Sequence, residues 1–423
     1  MKTVRLAAAI GTIVILASLF LFGFIKPTEP PLAAPGVTFS EWFKLHDTAT
    51  YDFSSVLDTF SNNTVIHVHR VASGHVSTDG RLVVMYSEDG GQSWNNARTI
   101  YDSPYDDRNL NGGITADDTI VVTLGRYDAA NSRWVDWGWI RSTDGGATWS
   151  AYQTFPPWTT DIHGGSQGPL LEISDRNKIG VTLYEEGSGD VGKIRIAWSA
   201  DDGMSFPIIQ TIYNDTVPNT QSVEPVAAYL GTGKIILLWA SWVGGAYYQM
   251  TSSDYGNSWT APALTNIVHG ATGHGGWLGK SGDNLLLLYR YSGRSPPYYA
   301  YAYTDTVFSD PNAWHSGPLS TRSGDGYGAI ATLSNATMLM TYSFSDEADP
   351  AHDQDLQYAF ASFDDAFPSP TSQSYKLPRP LKDPVLPECN CPTAQTTRSK
   401  HTLSVAQYGV EKFQKIPSWK TTI

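Results

Sequence analysis

The sequence predicts an all-β fold, a six-bladed β-propeller, and three observations carry that prediction. One eight-residue pattern recurs four times, at Ser87–Trp94, Ser142–Trp149, Ser199–Phe206 and Ser252–Trp259. Their first serines are 55, 57 and 53 residues apart. Two further steps of about 55 residues reach degraded copies at Thr304-Asp305 and Ser362–Asp365, making six units. Each copy follows an alternating apolar run such as Leu82–Tyr86 or Trp137–Arg141, the period of a strand.

The chemistry of the pattern is that of a tight turn. Its Asp and Ser side chains can bond backbone N–H groups, Gly supplies positive φ, and the closing aromatic can enter the core between neighbouring sheets. A second turn precedes it in every unit, at Asn62-Asn63, Ala116–Asp118, Ser174–Asn177, Gly231–Gly233, Ser281–Asp283 and Ser334–Ala336. Each unit therefore reads strand, turn, strand, loop, strand, turn, strand. Such a sheet buries both faces only when stacked radially on its neighbours. Of the 423 residues 12% are aromatic, 38 are glycine and only 16% are charged, which supports a large core. A net charge of -13 disfavours a nucleic-acid partner.

Four segments follow along the chain. Residues 1–26 carry Lys2 and Arg5 before an uncharged run from Leu6 to Ile25, long enough to span a bilayer. The basic flank predicts a single-pass anchor with the rest of the chain outside, a cleaved signal peptide and secretion being the alternative. Residues 27–47 read as a Pro-rich linker, 48–367 as the propeller, and 368–423 as an irregular Pro-rich, basic tail with a helical pattern over 405–415. The two cysteines, Cys389 and Cys391, both lie in that tail and cannot staple the body. Sequons at Asn62, Asn214 and Asn335 suit a glycosylated body on the outer side.

Antiparallel connectivity puts the repeated turns on one face. The other face receives the loops between second and third strands and the start of each innermost strand, where a ligand site is expected. At the inner-strand phase lie Tyr51-Asp52, Asp107-Arg108, His163, Glu224, His274 and Tyr327. At the loop phase lie Arg70, Arg126, Glu185-Glu186 and Arg290 to Arg294. Trp158, Trp239, Trp242 and Trp277 add aromatic surface suited to sugar stacking. His67, His69 and His75 lack metal-ligand spacing within one element, so neither metal nor cofactor is expected.

The repeated turn resembles the Asp-box of the sialidase superfamily, over residues 48 to 367. That resemblance implies an exo-glycosidase releasing a terminal, acidic sugar from glycoconjugates. Its nucleophile would be a Tyr activated by a Glu, a neutral nucleophile avoiding repulsion from the sugar's carboxylate. Matching strands make Glu224, in Ser222–Leu230, the base and Tyr327, in Tyr327–Leu333, the nucleophile. Ser292-Gly-Arg294 resembles the segment bearing one of the family's three carboxylate-binding arginines, and Asp79 stands in the loop that carries the family's acid. The Thr-Asp-Gly setting of Asp79 also suits a plain turn, and Asp107 is a second candidate. Two positions depart from the family: Asp52 and Ala240 stand where arginines belong. Arg70 and Arg108 lie on the right face to compensate, with His163 and His274 lining the pocket. A non-catalytic glycan-binding propeller is the alternative reading.

Overall fold

A computed structural model describes residues 36–46, 50–156, 163–187, 191–215, 222–241, 245–270, 275–292, 295–345 and 354–363. The apolar run Leu6–Ile25, the tail from residue 368 and both cysteines lie outside the described residues. Among the described residues no helix is long and apolar enough to cross a membrane.

Six antiparallel blades follow one another along the chain. Blade 1 is Tyr51–Thr59, Val65–Ala72, Arg81–Ser87 and Arg98–Tyr101. Blade 2 is Asp106–Ile114, Ile120–Asp128, Arg133–Ser142 and Gln153–Thr154. In blade 3 the inner strand is divided into His163–Ser166 and Leu171–Ile173, followed by Lys178–Gly187, Val191–Ser199 and Ile208–Asn214. Blades 4 and 5 are Ser222–Gly231, Lys234–Ser241, Ala246–Ser252, Ala263–Val268 and Trp277–Ser281, Asn284–Arg290, Pro297–Tyr303, His315–Pro318. Blade 6 takes Gly324–Thr332, Met338–Ser345 and Gln354–Phe363 from the end of the body.

Blade 6 gets its outer strand from the other end of the chain. Val37–Phe39 and Phe43–His46 pair antiparallel with Gln354–Phe363, in the registers Val37↔Phe363 and Phe43↔Tyr358. The Thr38 and Ser362 hydroxyls bond across this seam at 2.7 Å. Residues 37–46 thus belong to the propeller rather than to the linker in which the sequence placed them. The Pro-rich composition around them hides two short strands whose apolar residues, Val37 and Phe39, face the core.

The repeated turn has one geometry. In blade 1 the Ser87 hydroxyl donates to Asp89 Oδ1 (2.8 Å) and accepts from Gly91 N (2.8 Å), while Asp89 Oδ1 also accepts from Ser93 N (2.8 Å). Ser142/Asp144, Ser199/Asp201 and Ser252/Asp254 repeat it. The residue after each Asp sits at positive φ: Gly90 (71°), Gly145 (69°), Asp202 (58°) and Tyr255 (63°). The Trp94, Trp149 and Trp259 indoles donate back to the carbonyls of Gly91, Gly146 and Gly256. Bonds from Ser93 and Thr148 hold Asp89 and Asp144 down to about 2. Blade 5 carries a short helix, Thr304–Ser309, at its degraded copy, where no Ser or Gly closes the turn.

Each blade is keyed to the next across these turns. Tyr86 Oη donates to the Gly145 carbonyl (3.1 Å), Arg141 Nε to the Asp202 carbonyl (2.9 Å), and Tyr358 Oη reaches Gln92 O (3.3 Å). Nearer the axis Asp58 of blade 1 accepts from Ile114 N of blade 2 (2.7 Å). Glu172 of blade 3 accepts from Ala116 N of blade 2 (2.5 Å). Both carboxylates line an axial cavity of about 440 Å³ to which every blade contributes. Burial pushes Asp58 up to about 6, against the opposing bonds from Ile114 and Thr59.

A carboxyl raised in this way favours the fold below its unfolded value of about 3.9, and that contribution disappears as pH rises through about 6. The stability difference between the parent and Asp58→Asn is therefore expected to shift in the parent's favour by about 1 kcal/mol as pH falls from 7 to 5. Urea titrations at the two pH values measure it.

Candidate functional site

At the face away from the boxes, inner strands lose their register as they start. Pairing slips between Ser54 and Val56 in blade 1, Arg108 and Asn111 in blade 2, Val223 and Val226 in blade 4, and Gly324 and Gly328 in blade 6. Asn109 (φ 55°) and Glu224 (φ 50°) adopt left-handed backbone at two of these slips. Bulges re-aim side chains, and strained backbone of this kind concentrates at binding sites.

Glu224 and Tyr327 each fall within electrostatic reach of Tyr184. Glu224 is 5% exposed and Tyr327 is half-buried. Tyr184 is held well above the ordinary phenol value by burial and then by the charge of Glu224, with Tyr327 adding and Arg108 opposing. Tyr247 is raised by burial and by Glu224 in the same way, so both phenols stay protonated at neutral pH. The Tyr184 ring lies across the His163-Gly-Gly strand. A Cβ at Gly165 would come within 2.7 Å of it.

Tyr327 packs edge-on against Phe53 with centroids 4.6 Å apart. The Arg290 guanidinium lies 5.8 Å from the centre of its ring. Arg290 ends the second strand of blade 5 and is 9% exposed. It stands at the position of the second strand that Arg70 holds in blade 1 and Ala240 in blade 4. The sequence offered Arg290 only as the start of a run ending at Arg294; knowing where the strand stops singles it out.

The other candidates divide. Arg70 is 1% exposed, donates from Nε to Asp106 Oδ1 (2.8 Å), places Nη2 2.7 Å from the same oxygen and also reaches the Gly74 carbonyl. Arg108 sits 3.5 Å from Asp106 Oδ2 and keeps 7% exposure. Asp106 takes a further bond from Ser77 N (3.1 Å), which makes it a strut between blades 1 and 2. The slip in register turned Asp106 rather than Asp107 toward these arginines. Asp107 is fully buried, accepts from Ser103 N (2.8 Å) and Oγ (2.7 Å), and is pushed up to about 6 by burial.

Asp79 is exposed and accepts from Ser73 N (3.1 Å), Ser73 Oγ (3.0 Å) and Ser77 Oγ (2.5 Å). Burial acts to raise it, but the bonds from Ser77 and Ser73 outweigh that and leave it below the ordinary carboxyl value. This is turn geometry, and a carboxyl so held is a poor proton donor at neutral pH. Arg294 and His274 lie outside the described residues. Of His163 only the backbone is described, opposite Glu186. Trp239 and Trp277 are core residues, 1% and 0% exposed, bonded to Ser222 Oγ and the Ile330 carbonyl. They present no stacking surface, and Trp158 and Trp242 lie outside the described residues. His67 and His69 stack at 4.9 Å inside the wall of blade 1. No group of three or more metal-ligating side chains occurs among the described residues.

Residues 73–296, over half of the chain, match the family model described as a BNR repeat-like domain. The chain belongs to this family. Its propeller is of the sialidase-like BNR type. A protein of unknown function from Dyadobacter fermentans superposes with a TM-score of 0.67 at 18% identity, over 78% of this chain and 100% of that one. The NanB sialidase of Streptococcus pneumoniae gives 0.59 at 14%, over 78% and 71%. The intramolecular trans-sialidase of Ruminococcus gnavus gives 0.57 at 13%, over 75% and 96%. At these identities the likeness concerns the fold. Curated protein sequences give no match.

The buried strut makes a prediction for this BNR propeller. Arg70→Met leaves the buried Asp106 with only the longer contact to Arg108 and is expected to destabilise by about 3 kcal/mol, whereas Arg70→Met with Asp106→Asn, which removes the charge and keeps an acceptor for Ser77 N, recovers part of that loss. Chemical denaturation of the two variants measures the difference.

Proposed function

We propose that the chain is a glycoside hydrolase that releases a terminal sugar from glycoconjugates, with Tyr327 as nucleophile and Glu224 as its base. The observation that carries this reading is Tyr184, within electrostatic reach of both Glu224 and Tyr327, with Arg290 5.8 Å from the centre of the Tyr327 ring. The sialidase-like fold supports it.

In the first step the Tyr327 oxygen forms a bond to the anomeric carbon as the glycosidic C–O bond breaks. The phenol proton passes to Glu224, and the leaving oxygen departs as an aryl oxide or takes its proton from solvent water. Water then attacks the anomeric carbon and loses its proton to solvent as the sugar–Tyr327 bond breaks, and Glu224 returns the phenol proton to the Tyr327 oxygen. A phenol suits a substrate bearing its own carboxylate, since attack by a neutral oxygen meets no charge repulsion. Arg290 supplies a cation for that carboxylate, with Arg108 beyond Tyr184, in place of the arginines missing at Asp52 and Ala240. The properties of Asp79 argue against it as the acid that protonates the leaving group, so aryl glycosides, whose leaving groups depart without such help, are the substrates of choice for testing.

Hydrolysis of an aryl sialoside, an aryl glucuronide and a neutral aryl glycoside by the parent and variants tests the proposal. Tyr327→Phe is expected to abolish turnover without lowering the melting temperature, and Glu224→Gln to cut kcat at least ~100-fold. Full activity in Tyr327→Phe removes the mechanism. Arg290→Met is expected to raise KM for acidic substrates about 10-fold or more and to leave neutral ones unchanged.

The apolar Leu6–Ile25 run supports an extracytoplasmic propeller, anchored or secreted. The sequon residues Asn62, Asn214 and Asn335 are all exposed and suit that side. Protease protection of the full chain in membrane vesicles, with and without detergent, tests that placement.

A further inference from the structure

At two other described blade junctions on the box face a cation is matched by a carboxylate, whereas Arg98 of blade 1 bonds the Gly146 carbonyl of blade 2. Arg141 of blade 2 meets Asp202 of blade 3 at 3.0 Å, and Lys234 of blade 4 meets Asp305 of blade 5 at 3.5 Å. At the junction between blades 3 and 4 the cations are held differently. There Arg176 and Lys178 form no ion pair among the described residues, and they sit on aromatic rings instead. The Arg176 guanidinium is 4.1 Å from the Tyr255 ring centre and the Lys178 ammonium 3.7 Å from that of Trp198.

The repeat supplies an internal comparison. Tyr255 occupies the positive-φ position of the fourth box, filled by Gly90 and Gly145 in the first two and by Asp202 in the third. A tyrosine at φ 63° is strained where glycine is not, and such strain persists only where the surroundings hold it. Here the surroundings are specific. The Tyr255 hydroxyl donates to Asp175 (3.2 Å), which also accepts from Tyr229 (2.7 Å), so the Asp175 oxygens are engaged by these two hydroxyls. Lys178 donates one bond, to the Tyr255 carbonyl (3.3 Å).

These groups line a groove of about 470 Å³, within the range of roughly 300–1,000 Å³ usual for small-molecule sites. Its opposite wall is apolar: Pro207 is exposed and Ile208 is 60% exposed. Asn257 adds an exposed amide at the rim. Two cations over aromatic rings, facing an apolar ledge, suit a small anion with an apolar face. A polyanion is disfavoured by the charge of -13.

We propose that the groove between blades 3 and 4 on the box face is a second binding site, for a carboxylated sugar residue. The carboxylate meets Arg176 and Lys178, and the C–H face of the sugar ring lies on Pro207 and Ile208. The site lies on the face opposite Tyr327, so it holds an acidic glycan without competing with the mouth.

Saturation-transfer NMR titrations of the full-length chain with glucuronic acid, glucose and sodium sulfate test the proposal. Tyr255→Gly restores the residue of blades 1 and 2, so it is expected to fold and to melt no lower than the parent. Glucuronic acid is expected to bind saturably to the parent and to Tyr327→Phe. Its affinity is expected to fall at least about 10-fold in both Tyr255→Gly and Lys178→Gln, with no saturable binding of glucose at this groove. Three results overturn it: no saturable glucuronate binding by the parent, parental affinity in both groove variants, or equal binding and displacement by sulfate, which marks a simple anion site. Loss of hydrolysis in Tyr327→Phe is a separate readout, so the mouth and the groove succeed or fail independently.

Discussion

In four blades a serine hydroxyl and an aspartate carboxylate share one short turn, and the backbone N–H groups they hold fix where the third strand ends and the fourth begins. This interaction sets the phase of everything else. Because Asp89 accepts from Ser87 and Ser93 together, the following Gly-Gly is forced through positive φ and the closing Trp94 points back into the sheet. The same turn presents its carbonyls to the preceding blade, where Tyr86, Arg141 and Trp139 bond to them. A turn that closes one sheet therefore also docks it on the next. With the box face fixed, the opposite ends of the inner strands converge on the axis, and Glu224 and Tyr327 stand near the starts of the inner strands of blades 4 and 6.

The convergence needs a complete ring. Gln354–Phe363 would leave an open edge without an outer partner, and Val37–Phe39 with Phe43–His46 supply it. Chain closure through the N-terminal segment ties the start of the body to its end. It couples the stability of blade 6, which bears Tyr327, to a stretch that immediately follows the Pro-rich segment.

Much of this was legible in the sequence because the turn is local. The six-unit count, the strand order and the assignment of two faces follow from residues within each box and from its spacing. What the sequence could not show depends on long-range pairing or on broken register. The strands at 37–46 have little pattern of their own and are defined by a partner over three hundred residues away. Arg290 became distinguishable from Arg294 only when the end of its strand was known. Asp106, rather than Asp107, took Arg70 because the bulge at Arg108–Asn111 alters the simple alternation of sides. Trp239 and Trp277, polar-tipped residues near the mouth in phase, satisfy their indoles inside the sheets. The helix at Thr304–Ser309 replaces a box whose hydroxyl and glycine are missing, which is the same local rule seen from its failure.

The catalytic claim comes down to one covalent bond. Incubating the full chain with a fluorinated acidic glycosyl fluoride, which forms the glycosyl-enzyme readily and releases it slowly, and mapping the peptides by mass spectrometry measures that bond directly. The account predicts one added sugar on the peptide containing Tyr327, absent when an excess of unlabelled sugar occupies the mouth. Turnover of the reagent with no adduct on that peptide, or an adduct on another side chain, would contradict it.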